Sequence, residues 1–206
     1  MKVHYNVQLK DKTTFMVPAI AETYIELGSV EDVDELVSCN MLSGNEYFIL
    51  GEGSNVLFTK DFNGIIISPK LYGKKIITET EAYQEIEVAA GESWHDFVLY
   101  ARDHNLWGIE NLVLIPGTVG SSAVQNIGAY GVEAQETIIH LHAINLLTGD
   151  KKIFSREECD FSYRMSFFKG HPEWLITSVT FRLQKQSQPV VQYGAVLATL
   201  KERNIE

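Results

Sequence analysis

Cysteine and positive charge are both scarce in this chain. Only two cysteines occur in 206 residues, Cys39 and Cys159, and they lie far apart in neither metal-binding nor redox spacing. We expect both to be buried thiols. The 17 Lys and Arg residues are outnumbered by 27 Asp and Glu residues, which gives a formal charge of −10. A nucleic-acid surface needs a basic stripe that releases counterions, so we do not expect a nucleic-acid partner.

Long apolar runs are also missing. No early stretch combines a basic start with an apolar run, and no stretch is long and apolar enough to cross a bilayer. We therefore expect a soluble, cytoplasmic protein without a membrane partner. The apolar fraction of 45% is sufficient to bury a core in one or two domains.

The densest group of glycines and hydrogen-bonding side chains lies between residues 114 and 131. This segment has four glycines, one proline and the polar residues Ser121, Ser122, Gln125 and Asn126, without a regular apolar period. Glycine admits positive φ and lets another group approach the backbone, so the segment is typical of main-chain N–H groups wrapped around a ligand. The same residue types also form ordinary turns, and that alternative stays open.

A second glycine cluster, residues 51–58, follows the apolar run Tyr47–Leu50. A strand that ends in Gly-x-Gly-Ser-Asn is well placed to offer consecutive N–H groups to an anion such as a diphosphate. It is not a dinucleotide-fold fingerprint, because it lacks a third glycine at the required spacing and an obvious following helix. It also lacks the lysine of a nucleotide P-loop.

Five motifs in order give these clusters a context. They are Gly-Glu-Gly-Ser-Asn-Val-Leu-Phe at 51–58, Gly-Glu-x-Trp-His at 91–95, Gly-x-Glu-Asn-Leu at 108–112, Ile-Pro-Gly at 115–117 continuing to Gly-Val-Glu at 131–133, and Tyr-Arg-x-Ser-x-Phe-Lys at 163–169. With these motifs the chain resembles, from about residue 10 to about residue 200, the UDP-N-acetylenolpyruvoylglucosamine reductase family of bacterial cell-wall synthesis. One departure is Met16, which stands where the family commonly has glycine and puts in doubt a close cofactor approach there.

The resemblance implies an α+β, two-lobed FAD-binding fold of the vanillyl-alcohol-oxidase type. We expect one lobe over residues 1–69 and a second over 70–206. It also implies that the two glycine clusters contact FAD, through backbone amides and through polar side chains. The residues carried over as cofactor-binding are Gly51, Gly53, Ser54, Asn55, Pro116, Gly117, Ser121, Ser122, Gln125, Asn126, Gly128 and Tyr130.

The activity implied is reduction of UDP-N-acetylglucosamine enolpyruvate to UDP-N-acetylmuramate, with NADPH as the reductant of FAD. By resemblance Arg164 is the catalytic arginine, since a guanidinium can stabilise the negative charge that develops on the enol carboxylate. Tyr193 matches a tyrosine that closes over the substrate diphosphate. On residues alone, an arginine beside a tyrosine is more often a surface or ion-pair residue, and Tyr193 is equally compatible with a half-buried strand end. The roles of Glu110 and Asn111, beside the second cluster, stay open.

Two parts of the family pattern are missing from the 206 residues. These are the Gly-Ser-Phe-Phe-Lys-Asn-Pro stretch with the proton-donating serine and the glutamate near the C-terminus. Ser166 lies in the Tyr-Arg-x-Ser motif and does not take the serine's role. We therefore expect the N-terminal, FAD-binding part of such a reductase without its third, substrate-binding domain. The alternatives are an FAD-binding module without turnover and an α+β protein whose glycines only form turns.

Local patterns predict the elements around these motifs. Ser29 is a helix N-cap before apolar residues at helical spacing, and Trp94, Phe97, Val98 and Ala101 form one apolar face of a second helix. Strands are predicted at 47–50, 56–58, 65–67, 85–89, 138–147 and 176–183. His140 and His142 share one strand face, but without a third ligand nearby we expect no metal site.

Overall fold

Two β-sheets follow one another along the chain in the computed structural model, which describes residues 1–187 and 189–203. The first sheet contains β1 (Lys2–Gln8), β2 (Ile20–Leu27), β3 (Tyr47–Ile49) and β4 (Phe62–Pro69) in the order β1-β2-β4-β3. Strand β1 is antiparallel to β2, whereas β2, β4 and β3 are parallel to one another. The carboxyl ends of β3 and β4 therefore point to the same edge of this sheet.

Helix α1 (Val30–Ser38) connects β2 to β3, as the sequence predicts. Its N-cap is Ser29, whose side chain accepts a hydrogen bond from the Asp32 amide. Val33 and Leu36 of α1 are fully buried against the first sheet. The N-terminal ammonium group donates to Asp32 at 2.6 Å, which lowers the pKa of that carboxyl and fixes the start of the chain on the helix.

The second sheet is antiparallel throughout, with the order β10-β9-β11-β6-β5. Its strands are β5 (Lys74–Glu79), β6 (Tyr83–Ala89), β9 (Ile138–Asn145), β10 (Lys151–Ser155) and β11 (Trp174–Gln184). The small strands β7 (Gly128–Ala129) and β8 (Val132–Glu133) form a separate hairpin. The predicted strands at 85–89 and 176–183 are confirmed, and the strand predicted at 138–147 is confirmed up to Asn145, where β9 ends.

Four further helices are α2 (Trp94–Asp103), α3 (Val119–Gln125), α4 (Phe167–Gly170) and α5 (Gly194–Glu202), and single 3-10 turns lie at Lys10–Lys12, Glu110–Leu112 and Ala134–Glu136. The apolar face predicted for α2 is confirmed. Trp94 and Phe97 are fully buried and pack against Phe181 of β11, with ring centroids 5.8 and 5.0 Å from it. The Trp94 indole also donates to the Leu112 carbonyl at 2.9 Å.

One hydrophobic cluster joins the two sheets. Ile25 and Ile67 of the first sheet share it with Ile144, Leu146 and Leu175 from the second part of the chain. The predicted lobe boundary between residues 69 and 70 falls where β4 ends, and it stays a prediction. No helix within the described ranges is long and apolar enough to span a membrane.

Two local expectations are wrong. Residues 56–58 form no strand, because Phe58 buries its ring edge-to-face against Phe48 and Phe62, at 6.2 Å each, instead of joining a ladder. Cys39 is exposed at the C-cap of α1, whereas Cys159 is buried as expected. Burial raises the pKa of the Cys159 thiol to about 12, so this cysteine is inert.

Candidate active site

The first glycine loop follows β3 and packs against the end of the 3-10 turn at Lys10–Lys12. Gly53 has φ +67°, and a Cβ at this position would lie 2.2 Å from the Lys12 carbonyl oxygen. The Gly53 carbonyl accepts the Thr14 amide at 3.2 Å. Only a residue without a side chain fits between these two backbone segments. The glycine at this position is therefore required by close backbone packing as well as by conformation.

The second glycine segment contains a helix that its sequence does not predict. Helix α3 starts after Thr118, whose side chain and that of Ser121 form a reciprocal capping box. Gly120 allows the helix to lie against β6, because a Cβ there would be 2.8 Å from the Ala90 Cβ, and its amide donates to the Ala90 carbonyl. The helix ends at Asn126, which adopts the left-handed conformation with φ +41°.

Three hydrogen bonds hold the two glycine segments together. The Gly117 amide donates to Glu52 Oε2 at 3.1 Å, and Ser54 Oγ donates to the Pro116 carbonyl at 3.4 Å. The Asn55 side chain donates to Gln125 Oε1 at 2.9 Å. The structure thus brings together two segments that are more than 60 residues apart.

A cavity of about 300 Å³ lies where these segments meet the two sheets. Its walls include Ile49 and Pro69, the last residues of the parallel strands β3 and β4. Ligands of α/β proteins typically bind at the carboxyl ends of parallel strands. Six residues predicted to bind cofactor line the cavity, namely Gly51, Gly53, Ser54, Asn55, Ser121 and Gln125. Pro116 and Gly117 are joined to this group by the hydrogen bonds to Ser54 and Glu52.

The residues present fit a dinucleotide such as FAD. The glycine loops offer backbone amides and hydroxyl groups to phosphates or ribityl oxygens, while Phe48, Val124 and Trp174 provide apolar wall for an aromatic ring. Gly117 also has φ +122°, which favours glycine, and a Cβ there would lie 2.9 Å from Ser121 Oγ. This arrangement is a cradle of backbone and small polar groups beside an apolar surface.

Other predicted cofactor residues have partners inside the protein. Ser122 is buried and donates to the Val119 carbonyl. Asn126 is fully buried; its side-chain amide donates to Glu133 and to the Ser162 carbonyl, and its oxygen accepts the Gln135 amide. These contacts give Ser122 and Asn126 a structural role, and their contact with FAD stays a prediction.

Arg164 lies beside the turn that follows α3. Its guanidinium donates to the carbonyls of Asn126, at 3.3 Å, and of Gly128. The Arg164 backbone has φ +55°, and its own carbonyl accepts the Lys169 ammonium at 2.6 Å. A guanidinium has five N–H donors, so the two carbonyls leave donors free for a further acceptor. The structure therefore gives Arg164 a positioning contact and leaves room for the role that the resemblance implies.

Tyr130 and Tyr193 meet in an edge-to-face pair with ring centroids 5.7 Å apart. Both are about half exposed, and Tyr193 is the N-cap of α5. Asn111 donates to the Tyr130 carbonyl at 3.2 Å and to the Val190 carbonyl at 2.8 Å, which ties the segment before α5 to the β7–β8 hairpin. Glu110 instead accepts the Gly108 amide at 2.6 Å. The two tyrosines predicted separately thus belong to one surface.

Sequence reasoning missed several residues of the cavity wall. Glu52 is the middle residue of the Gly-x-Gly motif, and Lys169 closes the Tyr-Arg-x-Ser motif; both line the cavity. Their places inside predicted site motifs were the available signal. Tyr47 also lines the cavity, and burial, with a smaller effect from the Glu173 charge, raises the pKa of its phenol.

The histidine pair does not form a metal site with its surroundings. His142 lies 3.4 Å from Glu87 across the second sheet, and the His140 ring is 5.7 Å from that of His142. Within residues 1–187 and 189–203, no group of three or more potential ligands is placed to hold a metal ion.

Comparison with known proteins gives this chain a class. The family described as FAD binding domain matches residues 21–155, so the chain belongs to this family of FAD-binding proteins. The matched range includes both glycine segments and the whole of α3. FAD, predicted from the resemblance, is confirmed as the cofactor class of the family.

Two relatives that match along nearly the full chain carry the same name. The chain is 43% identical over 208 residues to the UDP-N-acetylenolpyruvoylglucosamine reductase of Flavobacterium johnsoniae, covering 100% of this chain and 61% of that protein. It is 38% identical over 206 residues to the reductase of the same name from Bdellovibrio bacteriovorus, covering 99% and 61%. The sequence resemblance is confirmed, and the chain spans about 61% of the length of these relatives.

Solved structures confirm the fold class. The UDP-N-acetylenolpyruvylglucosamine reductase from Thermus caldophilus superimposes with a TM-score of 0.72 at 24% identity, covering 99% of this chain and 70% of that one. A cholesterol oxidase from Brevibacterium sterolicum superimposes with a TM-score of 0.61 at 13% identity, covering 89% and 38%. The α+β FAD-binding fold of the vanillyl-alcohol-oxidase type is therefore confirmed.

Proposed function

We propose that this chain is the FAD-binding part of a reductase that converts UDP-N-acetylglucosamine enolpyruvate to UDP-N-acetylmuramate in peptidoglycan precursor synthesis, with NADPH as reductant. The observation that carries this proposal is the cavity at which two separate glycine segments meet. The proposal is also supported by two relatives that match nearly the whole chain and are both named as this reductase. The cytoplasmic location expected from the sequence belongs to the same proposal.

Bound FAD would supply the hydride chemistry. The protein's contribution is to hold the cofactor through the amides of Gly51 and Gly53, with Ser54, Asn55 and Ser121 as side-chain partners. These groups border the cavity, and the capping box fixes the orientation of Ser121 before a ligand arrives. Preorganised donors lose little freedom when they bind.

Arg164 would stabilise the negative charge on the substrate carboxylate while it positions the turn at Asn126–Gly128. The two backbone carbonyls hold its guanidinium plane, and the neighbouring Tyr163 ring lies 5.3 Å from the guanidinium carbon. Lysine has neither the planar fork nor the number of donors for both tasks. Tyr193, whose ring packs edge-to-face on that of Tyr130, would contact the substrate diphosphate.

The first test is retention of FAD by the purified chain. FAD is added, excess is removed by desalting, and the visible spectrum is recorded before and after anaerobic addition of NADPH. A retained flavin spectrum that bleaches with NADPH supports the proposal. Retention without bleaching favours the second candidate, an FAD-binding module without turnover. Loss of all flavin on desalting contradicts both.

Arg164→Lys separates cofactor binding from chemistry. The variant should retain FAD, because the amides of the glycine segments are unchanged, but it should lose hydride transfer to the enolpyruvyl substrate. Transfer is followed as reoxidation of the reduced flavin in a single turnover, with Arg102→Lys, an exposed arginine in α2, as the control. Unchanged reoxidation in Arg164→Lys would remove the catalytic assignment.

A further inference from the structure

The Gly117 amide, an expected donor to the cofactor, already has an anionic partner in this protein. Glu52 lies between two glycines of the first loop, and its Oε2 accepts the Gly117 N–H at 3.1 Å. Among the described residues that line the cavity, Glu52 is the one carboxylate and Lys169 the one cationic side chain. The Lys169 ammonium donates to the Arg164 carbonyl at 2.6 Å and does not pair with Glu52. A negative charge thus sits on an amide where a phosphate would be favourable.

The remaining loop contacts are neutral. Ser54 binds the Pro116 carbonyl, and Asn55 binds Gln125, so each of these side chains can exchange a protein partner for a cofactor atom without a change in charge. Glu52 differs because its carboxylate and a diphosphate repel each other at the same amide. The Glu52 side chain is exposed, so it can turn into solvent without leaving a buried cavity behind.

We propose that Glu52 is an internal anion that occupies the Gly117 amide until the FAD diphosphate displaces it, and that it stabilises the contact between the two glycine segments while weakening cofactor affinity. This inference rests on the proposed function, since it assumes that the cavity binds FAD. Displacement leaves the carboxylate near two phosphate charges, and at a protein surface such repulsion amounts to about a tenfold change in affinity. Because salt screens charges over about 8–10 Å at physiological ionic strength, the effect must shrink as salt rises.

Glu52→Gln tests the charge and keeps the hydrogen bond, because the glutamine amide oxygen can still accept the Gly117 N–H. Glu81→Gln is the matched control, since Glu81 is an exposed carboxylate in the turn between β5 and β6 and does not line the cavity. FAD affinity is measured by flavin fluorescence at low and high salt. We expect Glu52→Gln to bind FAD about three- to tenfold more tightly at low salt, with the gain closing at high salt, and Glu81→Gln to match the unaltered chain.

The Gly117 amide gives a second readout that does not depend on affinity. In ¹⁵N-resolved spectra its resonance should differ between the unaltered chain and Glu52→Gln without FAD, and should converge when FAD is bound. Equal or weaker FAD binding by Glu52→Gln overturns the inference, and weaker binding would identify the carboxylate as an acceptor for a cofactor hydroxyl. If the unaltered chain and both variants bind no FAD, the proposed function fails along with the inference. FAD binding without tighter binding by Glu52→Gln overturns the inference alone.

Discussion

Replacing Gly53 with alanine should disrupt the cofactor site through backbone packing. Gly53 adopts φ +67°, and a Cβ there would lie 2.2 Å from the Lys12 carbonyl oxygen and 2.9 Å from the Thr13 Cα. Both contacts are with backbone atoms, so no side-chain rotation can relieve them. Either the first glycine loop or the turn at residues 10–14 must move, and the loop's amides then move away from the cavity.

The size of the effect follows from two separate terms. A non-glycine residue in the left-handed region costs about 1–2 kcal/mol. Forcing an extra carbon into a filled space adds about 1–3 kcal/mol. The free energy of unfolding should therefore fall by about 2–5 kcal/mol, which corresponds to a decrease in Tm of roughly 5–15 °C for a chain of this size.

Gly44→Ala carries the first term alone, so its difference from Gly53→Ala gives the second. Gly44 has φ +76°, close to that of Gly53, but nothing lies within 4 Å of a Cβ there. This control should lose only about 1–2 kcal/mol and bind FAD normally. Urea denaturation and FAD titration of both variants provide the measurement. Equal losses of stability in the two variants, or normal FAD affinity in Gly53→Ala, would refute the packing argument.

Two further predictions concern groups away from the glycine loops. A thiol reagent at neutral pH should modify the exposed Cys39 rapidly and Cys159, buried with a thiol pKa of about 12, only after denaturation; rapid modification of two thiols per folded chain would contradict this burial. Burial of Glu92 opposes its ionisation, but the Lys74 ammonium at 2.7 Å and the Gly73 amide outweigh it and lower the pKa of the carboxyl below its ordinary value of 4.5. The ionised Glu92 carboxylate therefore stabilises the folded chain above pH 4.5, and this stabilisation is lost as pH falls through the lowered pKa. Glu92→Gln should lower the free energy of unfolding by about 1 kcal/mol at pH 7 and by less at acidic pH, as measured by urea denaturation.

The sequence predicts elements well where apolar period and capping agree. Helix α1 starts after Ser29, and the apolar face of α2 is buried as its spacing predicts. Helix α3 could not be found in this way, because seven residues with one glycine and two serines have weak helix propensity. Its stability comes from packing: Val119 and Ala123 are fully buried, and the Gly120 amide binds the Ala90 carbonyl.

Within the site, residue types were easier to predict than their partners. The glycine segments meet at one cavity. The contacts of Glu52 with Gly117 and of Asn55 with Gln125, however, depend on how distant segments come together, which no local sequence pattern encodes. Met16 shows that a residue common in a family can reflect backbone conformation instead of ligand contact. Its φ of +53° keeps the left-handed backbone that suits glycine, so the glycine common at this position in the family is explained by conformation without any close cofactor approach.

The hydrophobic cluster shared by the two sheets has a kinetic consequence for the cofactor. Ile25 and Ile67 are fully buried against Ile144 and Leu175, so opening the cavity by separating its walls would expose the core. Exchange of the cofactor should proceed through the glycine loops, whose three hydrogen bonds break individually, and not through a hinge between the sheets. Release rates should accordingly respond to substitutions in the loops, while substitutions in the shared core should change the stability of the chain.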